Sequence, residues 1–158
     1  MKYNQEEYKN LVIDLNVNKS NKTMWLSSIV FSIVILVISI INYKEFYFSF
    51  VLSIFVFVLM RYLMKKVLMD TAKKSNFVDD IDYVEQIIDE EKIIEETVKR
   101  NGTTNKGEYY YKDISFVKED KKNYYLYLNS TIAIVVSKGK LENENDFRNK
   151  LSKNNLIK

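Results

Sequence analysis

The side chains that most often carry catalysis are missing from this chain: its 158 residues include no histidine and no cysteine. Their absence removes the commonest general base, the commonest transition-metal ligand and every thiolate reaction together. No disulfide framework is available either, so cysteine usage records nothing about the compartment. Carboxylates, amines and hydroxyls remain. The run NGTTNKG at residues 101–107 superficially looks like a phosphate loop, but lacks the spaced Gly-Lys-Ser/Thr that presents amides, an ammonium and a hydroxyl to phosphate. It reads as a turn. The run DDIDYVEQIIDE at 79–90 has carboxylates enough for calcium, yet apolar residues interrupt it and the sharp-turn glycine of an EF-hand loop is absent. It reads as a solvated acidic face. Acid–base catalysis by paired carboxylates needs a cleft that raises one pKa, and no pair stands out for that role. No catalytic residue, metal ligand or cofactor is expected, and the chain reads as non-enzymatic.

The formal charge is only +3, with lysines interspersed among 21 acidic residues. Nucleic acid is therefore not an expected partner, because counterion release needs clustered cations. One basic group is clustered: Arg61, Lys65, Lys66, Lys73 and Lys74. With Trp25 these are the candidates for contact with anionic lipid headgroups, each cation near such a surface contributing about 1 kcal/mol. The same cations serve equally as a topology signal. The chain has no proline, has alanine only at Ala72 and Ala133, and is rich in Asn, Lys, Ile and Tyr, which fits an AT-rich bacterial coding sequence.

The element that positions those cations is an apolar block at residues 24–64, broken by Lys44 and Glu45. Residues 24–43 and 46–64 would each form a helix roughly 30 Å long, matching a hydrocarbon core, with a turn at 44–45. A soluble helical hairpin keeps a polar stripe, and no charge occurs between Trp25 and Ile41. A cleavable signal peptide fits poorly, because the apolar run starts late and is too long. Lys19 and Lys22 precede the first span and the basic cluster accompanies the second, against Lys44 alone in the bend. Both termini are therefore expected on the cytoplasmic side of a bacterial plasma membrane. Tyr43, Phe46, Tyr47 and Phe48 would ring the outer interface, Trp25 and Tyr62 the inner one. Ser28, Ser32 and Ser39 fall four and seven residues apart, and Ser49 and Ser53 four apart, so each set shares a helix face. They are the candidates for packing the two helices together. No ionisable residue lies near mid-membrane to mark an ion path.

Outside the block, residues 1–23 form an N-terminal segment in which NLVIDLNVN (10–18) alternates apolar and polar positions, predicting a half-buried strand. Such a strand must pair with something on its own side of the membrane. Residues 65–80 read as a basic juxtamembrane linker and 81–158 as a soluble domain. Residues 77–100 fit a helix face in part and a strand in part. EYYYKDISFVKED, NYYLYLNS and TIAIVVSK are aromatic and β-branched, separated by polar turns, and predict an antiparallel meander. ENENDFRNKLSKN closes the chain as a short amphipathic helix burying Phe147 and Leu151.

The order of parts, and the run from Tyr109 to Leu151, resemble the YcxB-like bacterial membrane proteins. Asp113 and Ile114, Glu119 before a turn, the aromatic strand around Tyr125, Lys138 at the end of the last strand, and Phe147 carry the likeness. Tyr110 or Tyr111 stands where the family pattern usually has an aromatic, often tryptophan; Ser137 replaces a proline beside Lys138, and Leu141 replaces a phenylalanine. The resemblance implies a pleckstrin-homology-like (PH-like) β-structure capped by a helix and favours strands for 83–100. It transfers a fold and a location but no active site. The expected fold is thus a membrane α+β chain: a two-helix transmembrane hairpin plus a cytoplasmic PH-like antiparallel β-domain capped by a C-terminal helix. Its expected role is to anchor an interaction module that binds a protein partner or a lipid headgroup. The alternative is a membrane-located immunity factor that protects its host from a toxin or bacteriocin. Expected partners are the lipid bilayer and an unidentified protein, with a homo-oligomer left open.

Overall fold

A computed structural model describes residues 1–43, 46–74 and 78–157. The chain forms two compact units, one of Met1–Leu15 with Asn76–Lys158 and one of Asn16–Ser75.

The first unit begins with strand β1 (Lys2–Asn4) and the opening turns of helix α1 (Gln5–Tyr43). The strand expected over 10–18 is therefore corrected to helix. The reason lies just upstream: Asn4 Oδ1 accepts from the Glu7 amide at 2.9 Å, and Glu7 Oε2 accepts from the Asn4 amide at 2.9 Å. This reciprocal capping box starts a helix, and a good cap contributes about 1 kcal/mol. Leu11 and Leu15, one turn apart, then lie on one buried face, so the alternation in 10–18 coincided with a helical repeat.

After the hairpin come β2 (Ile81–Ile88), β3 (Lys92–Lys99) and β4 (Thr104–Tyr110), which with β1 make an antiparallel sheet in the order β1-β2-β3-β4. The segment 83–100, open between helix and strand, is thus two strands. The turn expected over 101–107 is shorter: Lys99 donates to the Thr103 carbonyl at 2.9 Å, Gly102 sits at φ 82°, and β4 starts at Thr104. That left-handed φ suits glycine. A second antiparallel sheet, β5-β6-β7, is made by β5 (Phe116–Glu119), β6 (Asn123–Tyr127) and β7 (Ala133–Ser137). The single expected meander is therefore two sheets, divided by a 3₁₀ turn at Tyr111–Asp113. In a strand, residues three apart face opposite ways. The 3₁₀ turn instead lets Tyr111 and Ile114 enter the same core.

The β5-β6-β7 sheet is covered on both faces. Tyr124, Leu126 and Val136 pack with Ile93, Tyr111, Ile114, and with Phe147 and Leu151 of helix α3 (Glu144–Lys153). Tyr125, Tyr127 and Val135 pack with Tyr3, Leu11 and Leu15. All five residues of β6 are consequently buried, as in any strand covered on both sides. The outer edge of β7 is closed by side chains: Gln86 Nε2 donates to the Val135 carbonyl at 3.0 Å, and the Ser137 amide donates to Tyr3 Oη at 3.4 Å.

The second unit holds the rest of α1 and helix α2 (Phe46–Lys74), which form a hairpin; both helices are long and apolar enough to cross a membrane. The bend expected at 44–45 and the Tyr43 side chain lie outside the described residues, as do residues 75–77 of the expected linker. Residues 65–74, the rest of that linker but for 78–80, are the last turns of α2. Residues 78–80 form a turn, closed by the Ile81 amide donating to the Val78 carbonyl at 3.0 Å.

Candidate functional site

Polar groups gather at three places in the β-rich unit. The first is a clasp between β5, the 3₁₀ turn Lys138–Lys140 and α3. Lys138 Nζ lies 2.9 Å from Glu119 Oε2, 3.6 Å from Glu144 Oε1 and 4.5 Å from the Tyr124 ring centre. Arg148 reaches Glu119 Oε2 at 3.2 Å, and Tyr124 Oη donates to Glu144 Oε1 at 2.8 Å. Burial pulls the Lys138 ammonium toward its neutral form, but Glu119, Tyr124 and Glu144 outweigh that, and it titrates above an ordinary lysine. The hydrogen bond from Lys138 is the main cause holding Glu119 below the usual carboxylate range. Beneath the clasp Phe147 meets Tyr124 edge to face at 5.3 Å.

Of the positions singled out in the sequence, the structure brings Glu119, Lys138 and Phe147 together around Tyr124. Ile114 joins the same core and Asp113 ends the 3₁₀ turn, exposed. Tyr125 belongs to the opposite face, donating to Asp120 Oδ2 at 2.7 Å. Tyr124 entered the sequence reading only as part of the aromatic strand, and Glu144 and Arg148 were missed. No local signal marks them, since only folding brings α3 to β5. Every charge in the clasp has a partner, so its chemistry is to fasten α3 to the sheet.

The second place is a half-buried carboxyl that sequence reading also missed. Glu95 projects from the inner face of β3, accepting from Gln86 Nε2 at 2.7 Å and Tyr8 Oη at 3.4 Å. Directly across the ladder is Gly107, over which the Tyr109 ring lies so closely that an added Cβ would meet Tyr109 Oη at 2.7 Å. Burial raises the Glu95 pKa, and the bonds from Gln86 and Tyr8 offset this only in part. Gln86 Oε1 is buried without a partner. The neighbouring cavity, about 50 Å³ and lined by Tyr8, Leu11, Glu95 and Tyr109 among others, is too small for any substrate larger than water. In IIEETV both alternating faces carry a glutamate, so only the register tells which one turns inward.

The third is a groove of about 470 Å³ between the first turns of α1 and two lysine-bearing turns, lined by Glu7, Asp14, Lys121, Lys122, Lys138 and Lys140 among others. Lys140 Nζ is held by Glu7 Oε1 at 2.7 Å and by the Lys2 carbonyl at 2.9 Å. Asn123, buried, donates to Asp14 Oδ2 at 3.2 Å. Lys121 and Lys122 are exposed, and no carboxylate pairs with them among the described residues. Two ammonium groups without a carboxylate partner among the described residues thus border a groove that also holds the Glu7 and Asp14 carboxylates. Among the described residues, no group of three His, Cys, Asp or Glu side chains is placed to hold a metal ion.

In the hairpin unit the serines turn inward: Ser28, Ser39, Ser49 and Ser53 are buried, and Ser32 Oγ donates across to the Ser53 carbonyl at 2.7 Å. Ser28 and Ser53 hydroxyls bond back to Met24 and Phe50 carbonyls on their own helices, and Ser39 Oγ is buried without a partner. Trp25, Arg61, Lys65, Lys66, Lys73 and Lys74 are all exposed, and Arg61 Nη2 crosses to Asn21 Oδ1 at 3.2 Å.

The paired strands β3 to β7, followed by α3 and joined to it by the clasp, are the portion with a known counterpart. Residues 88–151 match the family model for YcxB-like protein. No curated protein and no solved structure matches the chain. The YcxB-like domain holds the whole clasp and Glu95, while Gln86, Tyr8 and β1 lie outside the matched residues. The compact unit is thus larger than the YcxB-like match, because β1 and the first turns of α1 complete it from before the hairpin.

Proposed function

We propose that the chain is an integral protein of the bacterial plasma membrane. Its α1–α2 hairpin crosses the bilayer twice and holds a non-enzymatic, PH-like interaction module at the cytoplasmic face. The observation that carries this reading is the inverted burial of the hairpin. Ser28, Ser39, Ser49 and Ser53 are inside, while large apolar side chains such as Ile33, Phe55 and Val58 are 54%, 62% and 60% exposed. In water such a surface drives aggregation. In hydrocarbon it matches the solvent, and the small-residue seam is where helices pack.

Two further features support the topology. Strand β1 precedes the hairpin and pairs with β2 beyond it, Lys2 opposite Glu85, so the chain must return to the side it left. Two crossings do that. Residues 16–75 carry Lys19, Lys22, Lys44, Arg61, Lys65, Lys66, Lys73 and Lys74 against only Glu45 and Asp70. All those cations but Lys44 lie at the end away from the bend, which favours a cytoplasmic location for both termini. Four strands, three strands and a C-terminal helix support the PH-like assignment. The module's role is to bind a protein partner or a lipid headgroup, and the lysine-edged groove offers it a surface for an anionic group. Alkaline carbonate treatment of bacterial membranes tests the anchor: the chain should stay in the pellet, and its release would end this reading.

A further inference from the structure

We infer that the hairpin carries a built site for an anionic phospholipid, in a groove between α1 and α2 at their charged ends. The inference rests on the membrane reading above and goes beyond it from surface attraction to a particular binding site. The groove measures about 290 Å³ and is lined by Ser20, Thr23, Met24 and Ser27 from α1 and by Met64 and Leu68 from α2. Its two walls differ in chemistry. Ser20, Thr23 and Ser27 recur at helical spacing and present three hydroxyls over two turns, roughly 10 Å of one face. Unlike Ser28, Ser32 and Ser53, whose hydroxyls each bond a backbone carbonyl, these three side chains have no hydrogen-bond partner among the described residues. Met64 and Leu68 make the facing wall apolar.

The charge around the groove fits the same occupant. Arg61, Met64, Lys65 and Leu68 recur at spacings of three and four, so the two cations share the face of α2 that lines the groove. The Arg61 guanidinium already reaches Asn21 on the facing helix at 3.2 Å. Lys65 has no carboxylate partner among the described residues, and the only acid on α2 is Asp70. A phosphodiester with a glycerol backbone would take donors from the hydroxyls and from Arg61 and Lys65. Its acyl chains would run along Met24 and Met64 toward the apolar ends of the helices. A zwitterionic lipid brings a cation of its own to this basic rim and fits it less well.

Trp25, the chain's only tryptophan, follows Met24 and is 46% exposed, so it is a built-in reporter. The full chain would be placed in bilayers containing small fractions of phosphatidylglycerol or phosphatidylcholine with identically brominated acyl chains. Brominated phosphatidylglycerol should quench Trp25 several-fold more effectively than brominated phosphatidylcholine. Ser20→Ala/Thr23→Val/Ser27→Ala, which leaves the charge unchanged, should bring that ratio close to one, as should Arg61→Gln/Lys65→Gln. Added glycerol phosphate should not compete. Equal quenching by the two lipids in the native chain would overturn the site. So would a preference that survives loss of the hydroxyls, since diffuse charge would then explain it, or competition by glycerol phosphate, which would indicate a free phosphate as the ligand. Absence of quenching by either lipid would instead overturn the membrane reading on which the site depends. Circular dichroism of each variant confirms that the helices persist.

Discussion

The two units of this chain solve opposite solvation problems with much the same side chains. In the β-rich unit Tyr124, Leu126 and Phe147 are inside, and charges such as Glu119, Lys138 and Arg148 pair at the surface. In the hairpin, Phe55 and Val58 face outward while Ser28 and Ser49 are fully buried. A hydroxyl buried in a water-soluble core lowers stability unless it is bonded, and Ser28, Ser32 and Ser53 each bond a backbone carbonyl. The contrast shows that burial alone does not mark a core. What matters is which groups the surroundings can satisfy: in one unit water solvates the outside, and in the other the outside offers water nothing to bond.

The contrast can be broken most sharply with paired truncations. Phe147→Ala should destabilise the β-rich unit by about 3–5 kcal/mol in denaturant unfolding, through lost burial and a cavity against Tyr124 and Leu151. Phe55→Ala, at a side chain already exposed, should leave hairpin unfolding nearly unchanged. Next in size, Ile33→Asp on the outer face should oppose insertion by about 2.5–3.5 kcal/mol in a glycosylation-mapping assay. The same change at an exposed site of the β-rich unit, Ile132→Asp, should be close to neutral there.

Asn4→Ala should cost about 1 kcal/mol by removing the capping box that starts α1, read as a lower midpoint of unfolding for the β-rich unit. The smallest effect concerns Glu95. Its folded pKa is raised above the ordinary 4.5 by burial, so the folded state holds its proton more tightly than the unfolded state. Its favourable contribution is fully present below the unfolded value and is lost as pH rises through the folded one. Thermal scans from pH 4 to 7 should show this component of stability falling, and Glu95→Gln should remove it. An unchanged slope in that variant would assign the titration to other groups.

The apolar block, the serine spacing, the clustered cations and the C-terminal helix were legible because each is written in a local period or in composition. The capping residues Asn4 and Glu7 are equally local, but the alternation at 10–18 satisfies two periodicities at once, and it was read as a strand only. The split of the meander at Tyr111 left no local mark, because it depends on two residues reaching one core.

By itself, the sequence determined that this chain has two helices apolar enough for a bilayer, a β-rich remainder, and no histidine or cysteine chemistry. Those properties follow from residue type and short-range spacing, which do not depend on the rest of the fold. Only the tertiary structure decided that β1 closes a sheet with β2 across the hairpin, that Glu95 and not Glu96 turns inward, and that Glu119, Lys138 and Arg148 meet. Each of those outcomes depends on register and on contacts between distant segments, and a one-residue shift in pairing would have sent the other glutamate to the core.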